Sequence, residues 1–217
     1  MRLNLLVATV LIGTLTGGCA MVGNFFAGKD NSTPPAPLVT LQSSVAVQVL
    51  WSRDVGSGSE EQYIKLMPRV EGDKVFAADR KGRVSAYASA TGQPLWERQT
   101  KARISGGPGS GEGLVLIGTS EGEVIALNAG SGELVWNTQV SSEILAAPRA
   151  AQGVVVARTI DGKLFGLDAK TGARIWVYEQ TVPALTLRGT SPPLVAGEKV
   201  IVGFANSKIA AITLSEG

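Results

Sequence analysis

Histidine is absent from this 217-residue chain, and cysteine occurs once, at Cys19. The first absence removes His-containing catalytic triads, imidazole metal sites and the usual general base near neutral pH. The second leaves no internal disulfide to form. Charge is sparse too: Asp, Glu, Lys and Arg make up 18% of the chain, with 20 basic against 18 acidic residues. No run of five or more like charges exists, so there is no electrostatic footprint for nucleic acid. Apolar residues, by contrast, reach 44%, enough at this length for one good-sized core or two small domains. Aromatic residues are only 6%, yet the tryptophans among them are spaced with a regularity that organises everything else.

Trp96, Trp136 and Trp176 lie 40 residues apart, as do Gly92, Gly132 and Gly172, and Gly82, Gly122 and Gly162. Pro68, Pro108 and Pro148 keep the same step, and so do Val75, Val115 and Val155. The decapeptides YASATGQPLW, LNAGSGELVW and LDAKTGARIW are thus three copies of one element. Each unit reads as four short strands: one at the proline, one such as KVFAAD (74–79), one such as EVIALNA (123–129), and one ending on the tryptophan. In VIAL (124–127) consecutive residues are all apolar, which predicts a strand covered on both faces and therefore a neighbouring sheet on each side. A-x-[ST]-G is a tight turn between the third and fourth strands, with glycine supplying positive φ. Units of about 40 residues with four strands each predict an all-β fold, a β-propeller. Trp51, Trp96, Trp136 and Trp176 are then wedges between blades, and Gly92, Gly132 and Gly172 are turn residues. Asp161 and Asp168 read as turn formers, not metal ligands. GGPGSGEG (106–113) lacks the lysine of a phosphate loop and reads as a plain loop between blades. A hydrolase nucleophile elbow is not expected.

Both ends depart from the pattern. Residues 1–19 read as an export signal: a short basic start, the apolar run LNLLVATVLIGTLTGG, and small residues before Cys19. LTGGC resembles the lipobox of bacterial lipoproteins, with Leu15 four residues before the cysteine instead of three. That resemblance implies cleavage and acylation at Cys19, and the Ala20 that follows it implies sorting to the outer membrane, with the body in the periplasm. Two kinds of acyl linkage give stable anchoring where one chain is marginal. Residues 20–44, rich in Gly, Ser and Pro, read as a tether, and 45–217 as a partial propeller. Trp51 matches the fourth strand of a blade lacking its first three, as when an N-terminal strand closes the ring. NSKIAAITLSEG (206–217) matches the third strand and turn of a fourth blade. The expectation is an N-terminal closing strand, three blades and most of a fourth, an incomplete part of a longer ring that would be marginal or aggregation-prone alone.

The repeat breaks once more. Tryptophan to proline is 12 residues at 96–108 and at 136–148, but 17 at 176–193, and the extra residues fall in TVPALTLRGTS (181–191). The step from Trp51 to Pro68 is also 17, but EEQYIKLMP shows no equivalent pattern. Leu185, Leu187 and Arg188 thereby sit on a lengthened interblade connection, where apolar anchors beside a guanidinium suit a protein interface. The A-x-[ST]-G-x-x-x-W repeat resembles that of pyrroloquinoline-quinone-type propellers. Together with the lipobox, tether and LTLRG connection, the whole chain resembles the BamB family, lipoproteins of the outer-membrane β-barrel assembly machinery. The resemblance implies an eight-bladed ring, a non-enzymatic scaffold without cofactor, and binding to BamA, the barrel-forming subunit, through Leu185, Leu187 and Arg188. It also implies assistance to unfolded outer-membrane proteins, and a further acidic patch of the binding surface beyond Gly217. The competing reading is a quinoprotein dehydrogenase holding pyrroloquinoline quinone and calcium, whose adjacent-cysteine feature this chain lacks. A ligand-sensing propeller is a third.

Overall fold

The computed structural model describes residues 35–40 and 45–217. Cys19, the expected 1–19 leader and most of the expected 20–44 tether lie outside them. Residues 35–40 and 45–47 belong to one unit and carry no strand; the second unit, Gln48–Gly217, holds the whole of the β-structure described below.

Its strands are consecutive antiparallel meanders. Blade I consists of β1 (Arg69–Glu71), β2 (Lys74–Ala78), β3 (Arg83–Ala88) and β4 (Pro94–Gln99). Blade II follows with β5 (Ile104–Gly111), β6 (Leu114–Thr119), β7 (Glu123–Asn128) and β8 (Leu134–Gln139). Blade III has β9 (Arg149–Ala151), β10 (Val154–Arg158), β11 (Lys163–Asp168) and β12 (Arg174–Glu179). Blade IV has three strands among the described residues, β13 (Leu194–Ala196), β14 (Lys199–Gly203) and β15 (Ile209–Thr213). The first strands of successive blades are neighbours, with β5 beside β1 and β9, and β9 beside β13. That places the meanders radially, as propeller blades.

The two-faced apolar pattern is what lets blades stack. Because side chains alternate across a strand, Val115 and Ile117 of β6 point into a core shared with Phe76 and Val84 of blade I. Leu114 and Leu116, one residue out of phase, point into a core shared with Val155 and Phe165 of blade III. Blades III and IV repeat the arrangement through Val154, Val156, Val200 and Val202. Middle strands therefore lack a polar face.

Tryptophan closes each interface. Trp96 Nε1 donates to Ala129 O at 3.1 Å, Trp136 Nε1 to Ala169 O at 2.9 Å, and Trp176 Nε1 to Leu214 O at 2.8 Å, each reaching into the next blade. The receiving turn must end in glycine: Gly132 has φ of +74°, and a Cβ there would lie 2.5 Å from Trp96 Cε3. Each of the three tryptophans also sits beside a bulge, opposite Ala86, Ala126 and Gly166 respectively. Bulges increase local twist.

Two expectations are corrected. The tryptophan does not end its strand but is the third residue of it, because β4, β8 and β12 run on for three residues along the outer edge. GGPGSG is not a loop: it lies in β5, a buried innermost strand with two register breaks. Glycine is required there because blade III comes so close that a Cβ on Gly109 would collide with Pro148 O. The segment around Trp51 pairs with no strand of the four blades described. The Trp51 side chain nonetheless docks as the others do, donating to Ser89 O at 2.8 Å with its ring over Gly92.

Candidate partner-binding surface

The connection from β12 to β13 leaves blade III at Gln180, whose amide donates to Gly162 O at 3.0 Å, and carries no strand until Leu194. Three contacts hold it. Near its start, Asn206 Nδ2 donates to Thr181 O at 3.1 Å. Near its end, Arg158 Nη1 reaches Ser191 Oγ at 3.3 Å and Ser191 O at 3.4 Å. Between them, Arg188 Nη2 donates to Glu143 Oε1 at 2.7 Å. Leu185 and Leu187 are left with 94% and 95% of their surface exposed. A packed strand start is thereby excluded for both leucines within this chain.

The Arg188–Glu143 pair is asymmetric, with the arginine side chain 45% exposed and the glutamate 10%. Glu143 stands on the preceding interblade connection, so the pair straps the lengthened loop to the shorter one. Sequence reasoning missed this carboxylate. Its signal was faint: in the 40-residue register Glu143 falls where the preceding unit has Arg103, whose own partner is the exposed Glu121 at 2.7 Å.

Two further arginines escaped the sequence reading. Arg158, at the end of β10, is only 5% exposed; its guanidinium lies 5.2 Å from the Phe204 ring centre, and its Nε has no hydrogen-bond partner. Burial lowers its pKa from the ordinary arginine value, though an arginine stays protonated at neutral pH. Arg149, on the innermost strand β9, has an unpartnered buried Nη1; burial first, then the nearby Arg69 charge, lowers its pKa as well. Arg69 Nε donates instead to Ser110 Oγ at 2.9 Å.

These groups line two hollows on either side of the loop. One, of about 480 Å³, lies between the loop and the end of β14 and is bordered by Arg158, Leu187, Arg188 and Phe204. The other, of about 870 Å³, lies towards β1 and β9 and is bordered by Tyr63, Met67, Arg69, Arg149 and Arg188. Tyr63 and Met67, in the segment where no pattern was expected, are exposed.

Gly118-Thr119-Ser120-Glu121-Gly122 does fit the spacing of a nucleophile elbow, contrary to the sequence expectation. It forms the β6–β7 hairpin turn, not a strand-to-helix turn, and Ser120 Oγ bonds Arg103 O and Glu121. Asp168 acts as a turn former: its Oδ1 accepts from the amides of Lys170 and Thr171 at 3.0 and 2.8 Å. Among the described residues, no three His, Cys, Asp or Glu side chains gather as a metal site.

The family described as outer membrane protein assembly factor BamB matches residues 39–104 and 80–217 of the chain. The assembly factor BamB of Pseudomonas aeruginosa is 58% identical over 191 residues, which is 88% of this chain and 50% of that protein. BamB of Kangiella koreensis is 49% identical over 96% of this chain and 52% of its own length. The crystal structure of BamB from Moraxella catarrhalis superposes with a TM-score of 0.66 at 32% identity, covering 70% of this chain and 46% of that one. A quinohemoprotein alcohol dehydrogenase from Pseudomonas putida superposes at 0.54 with 17% identity, over 69% of this chain and 32% of its own, a likeness of fold alone. The chain spans about half the length of the curated relatives it matches. By family match and by identity to these assembly factors, it belongs to the BamB family of outer membrane protein assembly factors.

Proposed function

We propose that this chain serves as a non-enzymatic periplasmic scaffold of the outer-membrane β-barrel assembly machinery, lipid-anchored at Cys19 and docked on BamA through Leu185 and Leu187. One observation carries the reading: two leucines, 94% and 95% exposed, ride a connection held near both ends and strapped at its middle. A braced loop presents its anchors with little ordering entropy left to lose, which favours binding. Arg188 gives one donor to Glu143 and, being half exposed, has others to offer a carboxylate or carbonyl on BamA. Unfolded outer-membrane proteins are the proposed clients, received by strand pairing along the outer strands. Leu95, Leu134, Val135, Ile175 and Val177 line those strands as exposed apolar residues. Unchanged backbone amide exchange in β4, β8 and β12 on adding an unfolded barrel protein would count against that client mode.

The docking test is capture of BamA from detergent-solubilised outer membranes by the lipidated full-length protein. Leu187→Asp, with the fold intact by circular dichroism, is expected to abolish capture, and Arg188→Glu to weaken it. Equal recovery of BamA by the folded Leu187→Asp variant would sink the docking site.

A further inference from the structure

The repeat assigns Arg158 no structural task. In the 40-residue register its place is held by Ala78 and Gly118, so neither of the two preceding blades has a charge there. Yet Arg158 is 5% exposed, and no described carboxylate forms an ion pair with it. A buried cation without a counter-charge is costly, and arginines are almost never fully buried unless paired. The contacts it does make are weak substitutes. Its bonds to Ser191 are long, at 3.3 and 3.4 Å, the Phe204 ring offers only its face, and Nε is left with nothing. A structural arginine would be expected to spend its donors better. Bracing the loop through Ser191 is a task a neutral side chain could perform.

What Arg158 borders is the hollow of about 480 Å³ beneath the loop, which it shares with Leu187 and Arg188. None of the described residues lining this hollow is an aspartate or glutamate. Arg158 thus faces a space lined by no carboxylate, directly beside an exposed apolar anchor and an Arg188 that already has Glu143 as its partner.

We infer that the hollow under the 181–191 connection is a carboxylate pocket, in which Arg158 receives an aspartate or glutamate side chain of the protein that covers Leu185 and Leu187. This rests on the docking reading above and extends it: the leucines supply apolar contact, while Arg158 selects an acidic residue set beside the partner's apolar patch. Arg188, already strapped to Glu143, holds the rim. Burial makes such a charge pair specific, because a neutral residue in the pocket would leave Arg158 unpaired.

The test uses the full-length protein with purified BamA in detergent as the probe, measuring affinity for the parent, Leu187→Asp, Arg158→Gln and Arg158→Lys. Arg158→Gln is expected to weaken binding at least about 30-fold, with an unchanged melting temperature and a flatter dependence on salt. Arg158→Lys recovers only part, since a lysine lacks the planar fork. A photo-cross-linker at Thr186, exposed between the leucines, identifies the facing BamA segment, whose acidic residues are then neutralised one at a time. One of them should weaken the parent but not Arg158→Gln. Additive losses for every acidic residue would reduce Arg158 to a brace and overturn the pocket. So would unchanged affinity of Arg158→Gln while Leu187→Asp fails to bind. Weakened binding to phosphatidylglycerol vesicles with BamA affinity intact would overturn it in favour of a lipid headgroup. If Leu187→Asp itself binds normally, it is the docking reading that falls.

Discussion

The two connections flanking blade III perform the same topological task with opposite chemistry. From β8 to β9 the chain turns its apolar residues inward: Ile144 is fully buried, Leu145 and Ala146 nearly so, and the Ile144 amide donates to Thr119 O at 3.1 Å. From β12 to β13 five more residues are used, and Leu185 and Leu187 turn outward. The same residue type is thus core in one loop and surface in the next. The difference is length: the shorter step leaves no slack between Trp136 and Pro148, so its side chains close against the blades. The longer one forms an arch, and the arch is pinned where Arg188 meets Glu143 of the shorter connection.

The strongest way to break this contrast is to put a carboxylate at each position. Ile144→Asp buries a charge without a partner and is expected to cost upward of about 4 kcal/mol, lowering the melting temperature by more than about 10 °C. Leu187→Asp should leave it within about 2 °C, because the residue is already in water. Calorimetry on the two full-length variants decides it, and a large drop for Leu187→Asp would mean the arch is folded down in solution.

Glycines allow a finer version of the same comparison. Gly113 and Gly132 both have φ of +74°, but nothing lies within 4 Å of a Cβ on Gly113, whereas Trp96 blocks the one on Gly132. Gly113→Ala therefore measures backbone strain alone, about 1 kcal/mol. Gly132→Ala adds displacement of the tryptophan and should cost about 3 kcal/mol in denaturant unfolding. Equal costs would show that the Trp96 contact is not tight.

Smaller still is the strap. Glu143→Gln removes an ion pair whose glutamate is buried and whose arginine is half exposed; the amide can still accept from Arg188, which keeps access to water, so the expected loss of global stability is about 1 kcal/mol. Its effect is local: amide exchange across 183–190 should rise while that of 140–148 stays protected. Protection lost equally in both segments would mean that Glu143 supports the core, not the arch.

The gentlest contrast lies between two turns. Asn128 Oδ1 accepts from the amides of Gly130 and Ser131, and Asp168 Oδ1 accepts from those of Lys170 and Thr171. The side-chain and backbone hydrogen bonds from Thr171 lower the Asp168 pKa below its ordinary value of 3.8. A carboxyl with a lowered folded pKa contributes its stabilisation above the unfolded value and loses it as pH falls through the folded one. Amide protection at Lys170 and Thr171 should therefore decline below about pH 4, while that at Gly130 and Ser131 follows only the global stability. Parallel acid profiles for the two turns would refute the assignment.

Much of this was legible in the sequence because a repeat multiplies its own signal. Five positions kept in step fixed the blade length, the turn glycines and the tryptophans, and continuous apolar runs such as VIAL announced strands buried on both faces. GGPGSG was misread because composition reports turn propensity, whereas its glycines answer to the carbonyl of Pro148 in the next blade. Trp51 was legible as a docking side chain, since docking depends only on the turn of blade I.

The sequence by itself determined the radial stack, because every blade repeats the same local hairpins and the same two-faced pattern, and such patterns depend on residues near in the chain. It also marked the 181–191 connection, by breaking the period. Only the tertiary structure decided what that connection does with its side chains. Arg188 and Glu143 are 45 residues apart, as are Arg158 and the shielding Phe204 nearly so, and no periodicity relates a break in one unit to a carboxylate in another. Charge pairing acts through space, and blade stacking sets which charges meet.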